Sequence, residues 1–134
     1  RQTFLGIWVR LLVEGKSFEV WDGDQLRDFT YVDDAVDAFL LAAISDNTNG
    51  GIFNLGGENA ISLKKLAELL VNVSNGGKYI LKEFPSDRKR IDIGDYYSDY
   101  NLISSTIGWK PKVPLQEALR LTLDYYRKYL DRYI

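Results

Sequence analysis

The sequence contains no cysteine and no histidine. Disulfides, thiolate nucleophiles, imidazole bases and the usual zinc sites are therefore excluded together. Methionine is also absent, and 17 basic residues are set against 19 acidic ones. With a net charge of −2, the chain has no global positive field to hold nucleic acid or an anionic membrane, so any phosphate site must be local. Chemistry here would rest on carboxylates, lysine, tyrosine and hydroxyl groups.

Several sequence motifs are missing as well. No Gly-x-Gly-x-x-Gly follows a predicted strand, no P-loop pattern is present, and no tyrosine is followed four residues later by lysine. The longest strongly apolar run, Ala38 to Ile44, is far shorter than the ~20 residues that span a bilayer. No basic-then-apolar signal segment opens the sequence. We expect a cytoplasmic chain with no nucleic-acid or membrane partner, unable to transfer a hydride alone.

The patterns that are present alternate between helical and strand periodicity. The length of 134 residues and a hydrophobic content of 46% suit one domain, residues 1–134, with its own core. We predict a compact α/β unit with a small mixed sheet and packed helices, lacking a Rossmann domain. Five helices are predicted: one from Phe4 to Gly15, one capped by Asp33 or Asp34, one capped by Ser62, one from Asp99 to Gly108, and one that begins at Pro114. Four strands are predicted: Phe18–Trp21, Phe29–Val32, Ile52–Leu55 and Tyr79–Phe84.

The predicted helix after Asp33 and Asp34 carries one apolar face, formed by Val36, Phe39, Leu40 and Ala43. Both aspartates suit the positive end of a helix. We therefore interpret them as caps rather than as a general acid/base couple. The charged segment at 86–95 is predicted to be a loop.

The segment GDQLRDFTYVDD at 23–34 is the most informative for function. A turn presents Arg27, whose planar fork of donors matches phosphate oxygens two at a time. The alternative is a surface arginine paired with a nearby aspartate. A second basic cluster, Arg88, Lys89 and Arg90, lies in a separate loop. It is either a solvated face or a second arm that closes on the same diphosphate.

Two further candidates lie beside that turn. Trp21 follows a predicted strand, where an exposed indole can stack on a nucleobase, for about 1–3 kcal/mol; the alternative is a core residue, which is our prediction for Trp8 and Trp109. Gln25 and Asn54 can offer neutral hydrogen bonds to hydroxyl groups.

Five ordered stretches resemble the C-terminal, substrate-binding part of the NAD-dependent epimerase/dehydratases, the extended short-chain dehydrogenase/reductases that include UDP-glucose 4-epimerases and dTDP-glucose 4,6-dehydratases. They are LLVEGKSFEVW at 11–21, RDFTYVDD at 27–34, IFNLGG at 52–57, SDYNLISSTIGWKP at 98–111 and VPLQEALRLTLDYY at 113–126. Their order and spacing match across the chain.

The resemblance implies roles for individual residues. Arg27 would contact the diphosphate of a UDP- or dTDP-sugar, and Arg88, with Arg90 as the second choice, would make the opposing contact. Trp21 would stack on the base. The turn is about one residue shorter than the usual version, and Asp22 stands where relatives often have glycine.

The resemblance also implies that an NAD-binding Rossmann domain, with the glycine-rich turn and the Tyr-x-x-x-Lys couple, precedes Arg1. The full-length protein is then expected to be a homodimeric NAD-dependent epimerase or dehydratase. This part alone is expected to be inactive and to hold no cofactor, no metal and no catalytic residue. The alternative is a non-catalytic module of the same fold that binds a nucleotide or a protein.

Overall fold

The computed structural model describes residues 3–89 and 92–132. Within these ranges lie six α-helices and four short strands. In chain order they are α1 (Phe4–Val13), β1 (Phe18–Trp21), β2 (Leu26–Arg27), α2 (Val32–Ala43), β3 (Ile61–Ser62), α3 (Leu63–Ser74), β4 (Tyr79–Lys82), α4 (Ser86–Lys89), α5 (Asn101–Ile107) and α6 (Leu115–Tyr129). Two 3₁₀ turns, Asp46–Thr48 and Leu130–Arg132, complete the list. No helix in the described part of the chain is both long and apolar enough to cross a membrane.

Helices α1, α3 and α6 pack around β1 to form the main core. Each helix places one apolar stripe on the shared interior, as the helical periodicity predicts. The side chain of Ser62 accepts a hydrogen bond from the Lys65 amide at 3.3 Å and so caps α3. The deepest residues of this core are Val9, Phe18, Val20, Leu66, Ala67, Leu70, Leu119 and Leu123.

The strands form two separate pairs rather than one sheet. β1 runs parallel to β4, with Phe18 opposite Tyr79, and β2 is antiparallel to β3, with Arg27 opposite Ile61. Arg27 also forms a parallel bridge to Tyr96. The predicted mixed α/β fold is confirmed, and its small sheet is divided into these two pairs.

Two predicted strands are wrong. Residues 29–31 are irregular and α2 already begins at Val32, while residues 52–55 form no ladder with any described residue. β-branched and aromatic residues favour a strand only where a neighbouring strand can pair with them. The actual strand in the first region is the two-residue β2, immediately before the predicted one. The predicted loop at 86–95 contains the short helix α4.

The prediction that Asp33 or Asp34 caps α2 is also wrong. Tyr31 occupies the N-cap position, and both aspartates lie in the first turn. Asp34 is buried, and its Oδ2 accepts a hydrogen bond from the Val113 amide at 3.0 Å. Its backbone carbonyl accepts a second from the Trp109 indole at 2.8 Å. Asp34 therefore ties α2 to the segment that precedes α6, which is a long-range role.

Helix α2 does not bury its predicted apolar face within this chain. Its buried residues are Asp34 and Ala38, and Ala38 packs in a small second core with Ile103 and Trp109. The opposite stripe is exposed: Val32, Val36, Phe39, Leu40 and Ile44 all face solvent. The predicted helix is confirmed, and its apolar face is exposed in the described part of the chain.

Candidate functional site

A cleft of about 460 Å³ lies between α1, β1 and the segment that follows β4. One wall is apolar and comes from α1 and β1; its residues include Phe4, Ile7, Leu11 and Phe18. The lining also contains Glu19 and the predicted site residues Trp21, Gln25 and Arg27, together with Phe84 and Asp92. The structure thus brings three of the sequence candidates to one opening.

Arg27 is held at the cleft by its own strand. Its Nη1 donates hydrogen bonds to the backbone carbonyls of Leu26, at 2.7 Å, and Gly94. Its Nη2 lies 3.7 Å from Oδ1 of Asp92, and the arginine side chain is 14% exposed. The guanidinium is therefore fixed in direction and still carries donors toward the cleft. Its aspartate partner is Asp92, which is distant in the sequence, and not the adjacent Asp28.

The strand that carries Arg27 is supported by the 94–98 segment. The Leu26 amide donates to Oδ1 of Asp95 at 2.8 Å, and the Tyr96 amide donates to the Leu26 carbonyl at 3.0 Å. Oδ2 of Asp28 accepts from the amides of Gly57, at 3.0 Å, and Ser98, at 3.1 Å. Successive side chains of an extended segment point to opposite faces. The side chain of Arg27 therefore lines the cleft, and that of Asp28 binds the loops at Gly57 and Ser98 on the other face.

Trp21 ends β1 and lies half-buried at the rim of the cleft. Its ring meets the Phe84 ring edge-on at 5.6 Å between centroids. The guanidinium carbon of Arg88 lies 5.1 Å from the same indole centroid. This is the range of a cation–π contact. In this arrangement Arg88 covers Trp21 and does not contact Arg27.

The indole nitrogen of Trp21 donates to Oε2 of Glu19 at 3.3 Å. Glu19 also pairs with Lys82 across the β1–β4 ladder. The hydrogen bond from Lys82, with that from the Trp21 indole, lowers the pKa of Glu19 below its ordinary value. A charged Glu19, which also lines the cleft, therefore orients the indole.

The remaining sequence candidates have less direct positions. The side-chain oxygen of Gln25 accepts from the Gly23 amide at 3.2 Å, so it braces the turn as well as lining the cleft. Asn54 is exposed and does not line the cleft. Arg90 lies outside the described residues. Trp8 and Trp109 are core residues, as predicted.

Three residues of the site were not predicted from the sequence: Glu19, Phe84 and Asp92. Phe84 and Asp92 reach the cleft only through contacts with residues more than sixty positions away, which no local pattern encodes. The alternation of β1 is a signal that could have placed Glu19 on the same face as Trp21.

Three other clefts of similar size are poorer anion sites. One, of about 530 Å³, is lined by Lys65 and Lys112, but Lys112 is already paired with Asp37 at 2.7 Å. A second, of about 550 Å³ between α1 and α6, has no cationic side chain. The third, of about 450 Å³, contains Arg120, which is already paired with Glu117 and Asp124, and has no aromatic side chain. The cleft at Arg27 is the one that combines a fixed guanidinium with an aromatic surface.

The chain does not fit a nicotinamide cofactor by itself. A dinucleotide is normally bound at a glycine-rich turn between a strand and a helix, and the sequence has no such turn. No Tyr-x-x-x-Lys couple is present either.

Comparison with solved structures defines the class of fold. The chain is similar to UDP-glucose 4-epimerase from Thermotoga maritima, solved with UDP-glucose, at 30% identity and a TM-score of 0.81, over 96% of this chain and 40% of that one. It is also similar to UDP-glucuronic acid 4-epimerase from Bacillus cereus, solved with UDP-glucuronic acid and NAD, at 25% identity and a TM-score of 0.76, over 95% of this chain and 40% of that one. The fold is therefore one found in nucleotide-sugar epimerases.

Sequence comparison gives the related family. Residues 1–56 match the model of the NAD dependent epimerase/dehydratase family. UDP-D-apiose/UDP-D-xylose synthase from Oryza sativa subsp. japonica is 32% identical over 133 residues, covering 87% of this chain and 33% of the relative. dTDP-D-glucose 4,6-dehydratase from Mus musculus is 34% identical over 116 residues, covering 79% of this chain and 30% of the relative. The chain is therefore similar to members of this family, and it spans about a third of the length of these relatives.

Proposed function

We propose that the chain is the substrate-binding part of an NAD-dependent nucleotide-sugar epimerase or dehydratase and that its cleft holds the nucleotide diphosphate of a UDP- or dTDP-sugar. The observation that carries this proposal is the convergence of Arg27, Trp21 and Gln25 on one cleft. Two similar structures, named above, contain UDP-sugars.

The chemistry of the cleft suits this ligand. The guanidinium of Arg27 can donate to two oxygens of one phosphate, and charge-assisted bonds of this kind are roughly twice as strong as neutral ones. The indole of Trp21 and the ring of Phe84 offer flat apolar surface for a base. Gln25 can bond to a ribose or sugar hydroxyl. Holding the nucleotide in this way would orient the sugar carbon at which the reaction occurs.

The second half of the proposal is that an NAD-binding Rossmann domain accompanies this part in the intact protein. The exposed stripe of α2 supports it. Phe39 and Ile44 are 71% and 84% exposed, and the nearby Ile52 is 89% exposed. Several large apolar side chains exposed along one helix normally mark an interface. With the cofactor bound by that domain, the nicotinamide would supply the oxidation and reduction that this chain cannot.

Calorimetry on the intact protein tests the proposal. We expect UDP-sugar or dTDP-sugar to bind, NAD to co-purify or to bind on addition, and the sugar to be converted. Binding of neither nucleotide would contradict the substrate assignment. Nucleotide binding without any NAD binding would favour the non-catalytic module instead. Light scattering on the same sample checks the expected homodimer.

A further inference from the structure

Asp22, between Trp21 and Gly23, has an unusual backbone conformation. Its φ angle is +54°, and Asn75 is the other non-glycine residue with a positive φ in the described part of the chain. Asn75 ends helix α3, which is a common place for this conformation. Asp22 instead follows a strand; aspartate adopts the left-handed conformation as a single residue more readily than most residues with a Cβ atom, but at a cost relative to glycine. Such a backbone conformation usually persists because contacts with the surrounding structure stabilise it.

The carboxylate of Asp22 makes two long-range contacts. Its Oδ1 accepts from the Phe84 amide at 2.9 Å, and its Oδ2 accepts from Nζ of Lys89 at 3.1 Å. Its backbone amide donates to the Lys82 carbonyl at 2.8 Å. The Phe84 amide, followed by Lys89, lowers the pKa of this carboxyl group. The side chain is therefore charged at neutral pH and binds both ends of the 84–89 segment.

This segment has little structure of its own. Helix α4 contains four residues, Ser86–Lys89, and its turn rests on the amides of Arg88 and Lys89 donating to the Pro85 carbonyl. So short a helix is unstable without tertiary support. The two contacts with Asp22 lie on either side of Arg88: Phe84 precedes α4, and Lys89 directly follows Arg88. They fix where Arg88 lies.

We propose that Asp22 is a positioning residue for nucleotide binding: its carboxylate fixes the 84–89 segment so that Phe84 and Arg88 flank Trp21 at the base end of the cleft. The inference rests on the proposed function, because it assigns the aromatic and cationic wall to a bound nucleotide. Asp22 does not itself contact the ligand. It acts through Arg88 and Phe84, and the backbone strain at φ +54° is offset by the two contacts that it makes.

The test uses the intact protein, UDP as the ligand, and three single variants. Asp22→Gly relieves the strained φ and removes the carboxylate. Asp22→Asn keeps an oxygen for the Phe84 amide, tolerates the left-handed conformation and loses the charge opposite Lys89. Lys89→Ala removes the other contact alone. Because none of these changes adds strain, thermal unfolding should confirm that each variant folds.

We expect Asp22→Gly to weaken UDP binding about tenfold, the scale of one lost charge-assisted hydrogen bond. The UDP affinities of Asp22→Asn and Lys89→Ala should each stay within about threefold of the wild-type affinity, since each variant keeps the contact with the Phe84 amide. The double variant Asp22→Gly with Arg88→Ala should lose less affinity than the sum of the two single losses, because residues that act through one another are not additive.

A purely structural role for Asp22 would not produce this coupling with Arg88. UDP binding by Asp22→Gly equal to the wild type, or additive losses in the double variant, would overturn the inference and leave the proposed function intact. A wild-type protein that binds neither UDP nor dTDP would overturn both.

Discussion

Asp92 lies 3.7 Å from Arg27, measured from the carboxylate Oδ1 to the guanidinium Nη2. The two side chains face the same cleft, so this carboxylate partly neutralises the cation that we assign to the diphosphate. Arg27 keeps its orientation through the carbonyls of Leu26 and Gly94, independently of Asp92. An anionic ligand in this cleft must therefore displace or tolerate the ion pair.

Replacement of Asp92 by asparagine should strengthen nucleotide binding. The neutral amide removes a like charge from the vicinity of the phosphates and leaves Arg27 in place, so we expect UDP to bind about three- to tenfold more tightly. Calorimetry on the intact protein measures the change. Asp37→Asn is the matched control, because Asp37 pairs with Lys112 on a different surface. Weaker binding by Asp92→Asn would show that the carboxylate orients the ligand instead.

Removal of the Asp28 side chain should destabilise the fold. Its Oδ2 accepts from the amides of both Gly57 and Ser98, and Asp28→Ala would leave two partly buried donors unpaired. We expect a loss of about 2–4 kcal/mol in the free energy of unfolding, measured with urea. Asp28→Asn should lose about half as much, since it keeps a neutral acceptor. A loss in Asp28→Ala no larger than in Asp37→Ala would contradict this role.

A methyl group at Gly57 has no space. An added Cβ would lie 2.5 Å from the Phe29 carbonyl oxygen and 2.9 Å from its amide nitrogen. These are backbone atoms next to Asp28, so the clash cannot be relieved by a rotamer change. We expect Gly57→Ala to cost about 2–3 kcal/mol of stability in urea unfolding.

The control for that substitution is Gly76→Ala, where an added Cβ meets nothing within 4 Å. Its stability should equal that of the wild type or slightly exceed it, because alanine restricts the unfolded chain. Equal losses at the two glycines would refute the close packing of Gly57 against Phe29.

The indole of Trp21 should report the titration of Glu19. The pKa of this carboxyl group lies below its ordinary value of 4.5 because Lys82 and the Trp21 indole bond to the charged form. Those bonds are fully present above pH 4.5 and are lost as the pH falls through the lower, folded-state pKa. The Trp21 indole N–H resonance should therefore shift with a midpoint below pH 4.5.

The matched control is the indole of Trp109, which donates to the backbone carbonyl of Asp34. A backbone acceptor does not titrate, so this resonance should stay in place until the protein unfolds. A Trp21 midpoint at or above pH 4.5, or a common shift of both indoles, would contradict the assignment.

Local signals predicted much of the fold. Several elements follow from residues within a turn or two of each other: α1 and the Gly15 after it, β1, the N-cap of α3 at Ser62 and the end of α5 at Gly108. The failures depend on partners. Residues 52–55 have the composition of a strand but pair with no described residue, and α2 has an amphipathic pattern with no core of this chain opposite it. A sequence pattern shows that a surface is apolar, and it does not show what covers it.

The candidate site was predictable to a similar degree. The turn chemistry at 22–27 identified Arg27, Trp21 and Gln25, which the structure brings to one cleft. The position of Arg88 against Trp21 and the pairing of Arg27 with Asp92 depend on contacts between loops that are more than sixty residues apart in the sequence. The left-handed Asp22 explains part of this arrangement, and its two contacts could not be deduced from the sequence around it.

The most direct test of the account is the affinity of the intact protein for UDP-sugar and dTDP-sugar after Arg27→Ala, measured by calorimetry. Arg120→Ala is the matched control, because Arg120 pairs with Glu117 and Asp124 on the exposed side of α6. We predict that Arg27→Ala weakens binding of the preferred nucleotide-sugar by about 1.5–3 kcal/mol, the contribution of a charge-assisted hydrogen bond, and that Arg120→Ala changes nothing. Unchanged affinity of Arg27→Ala for both nucleotide-sugars would contradict the assignment of this cleft.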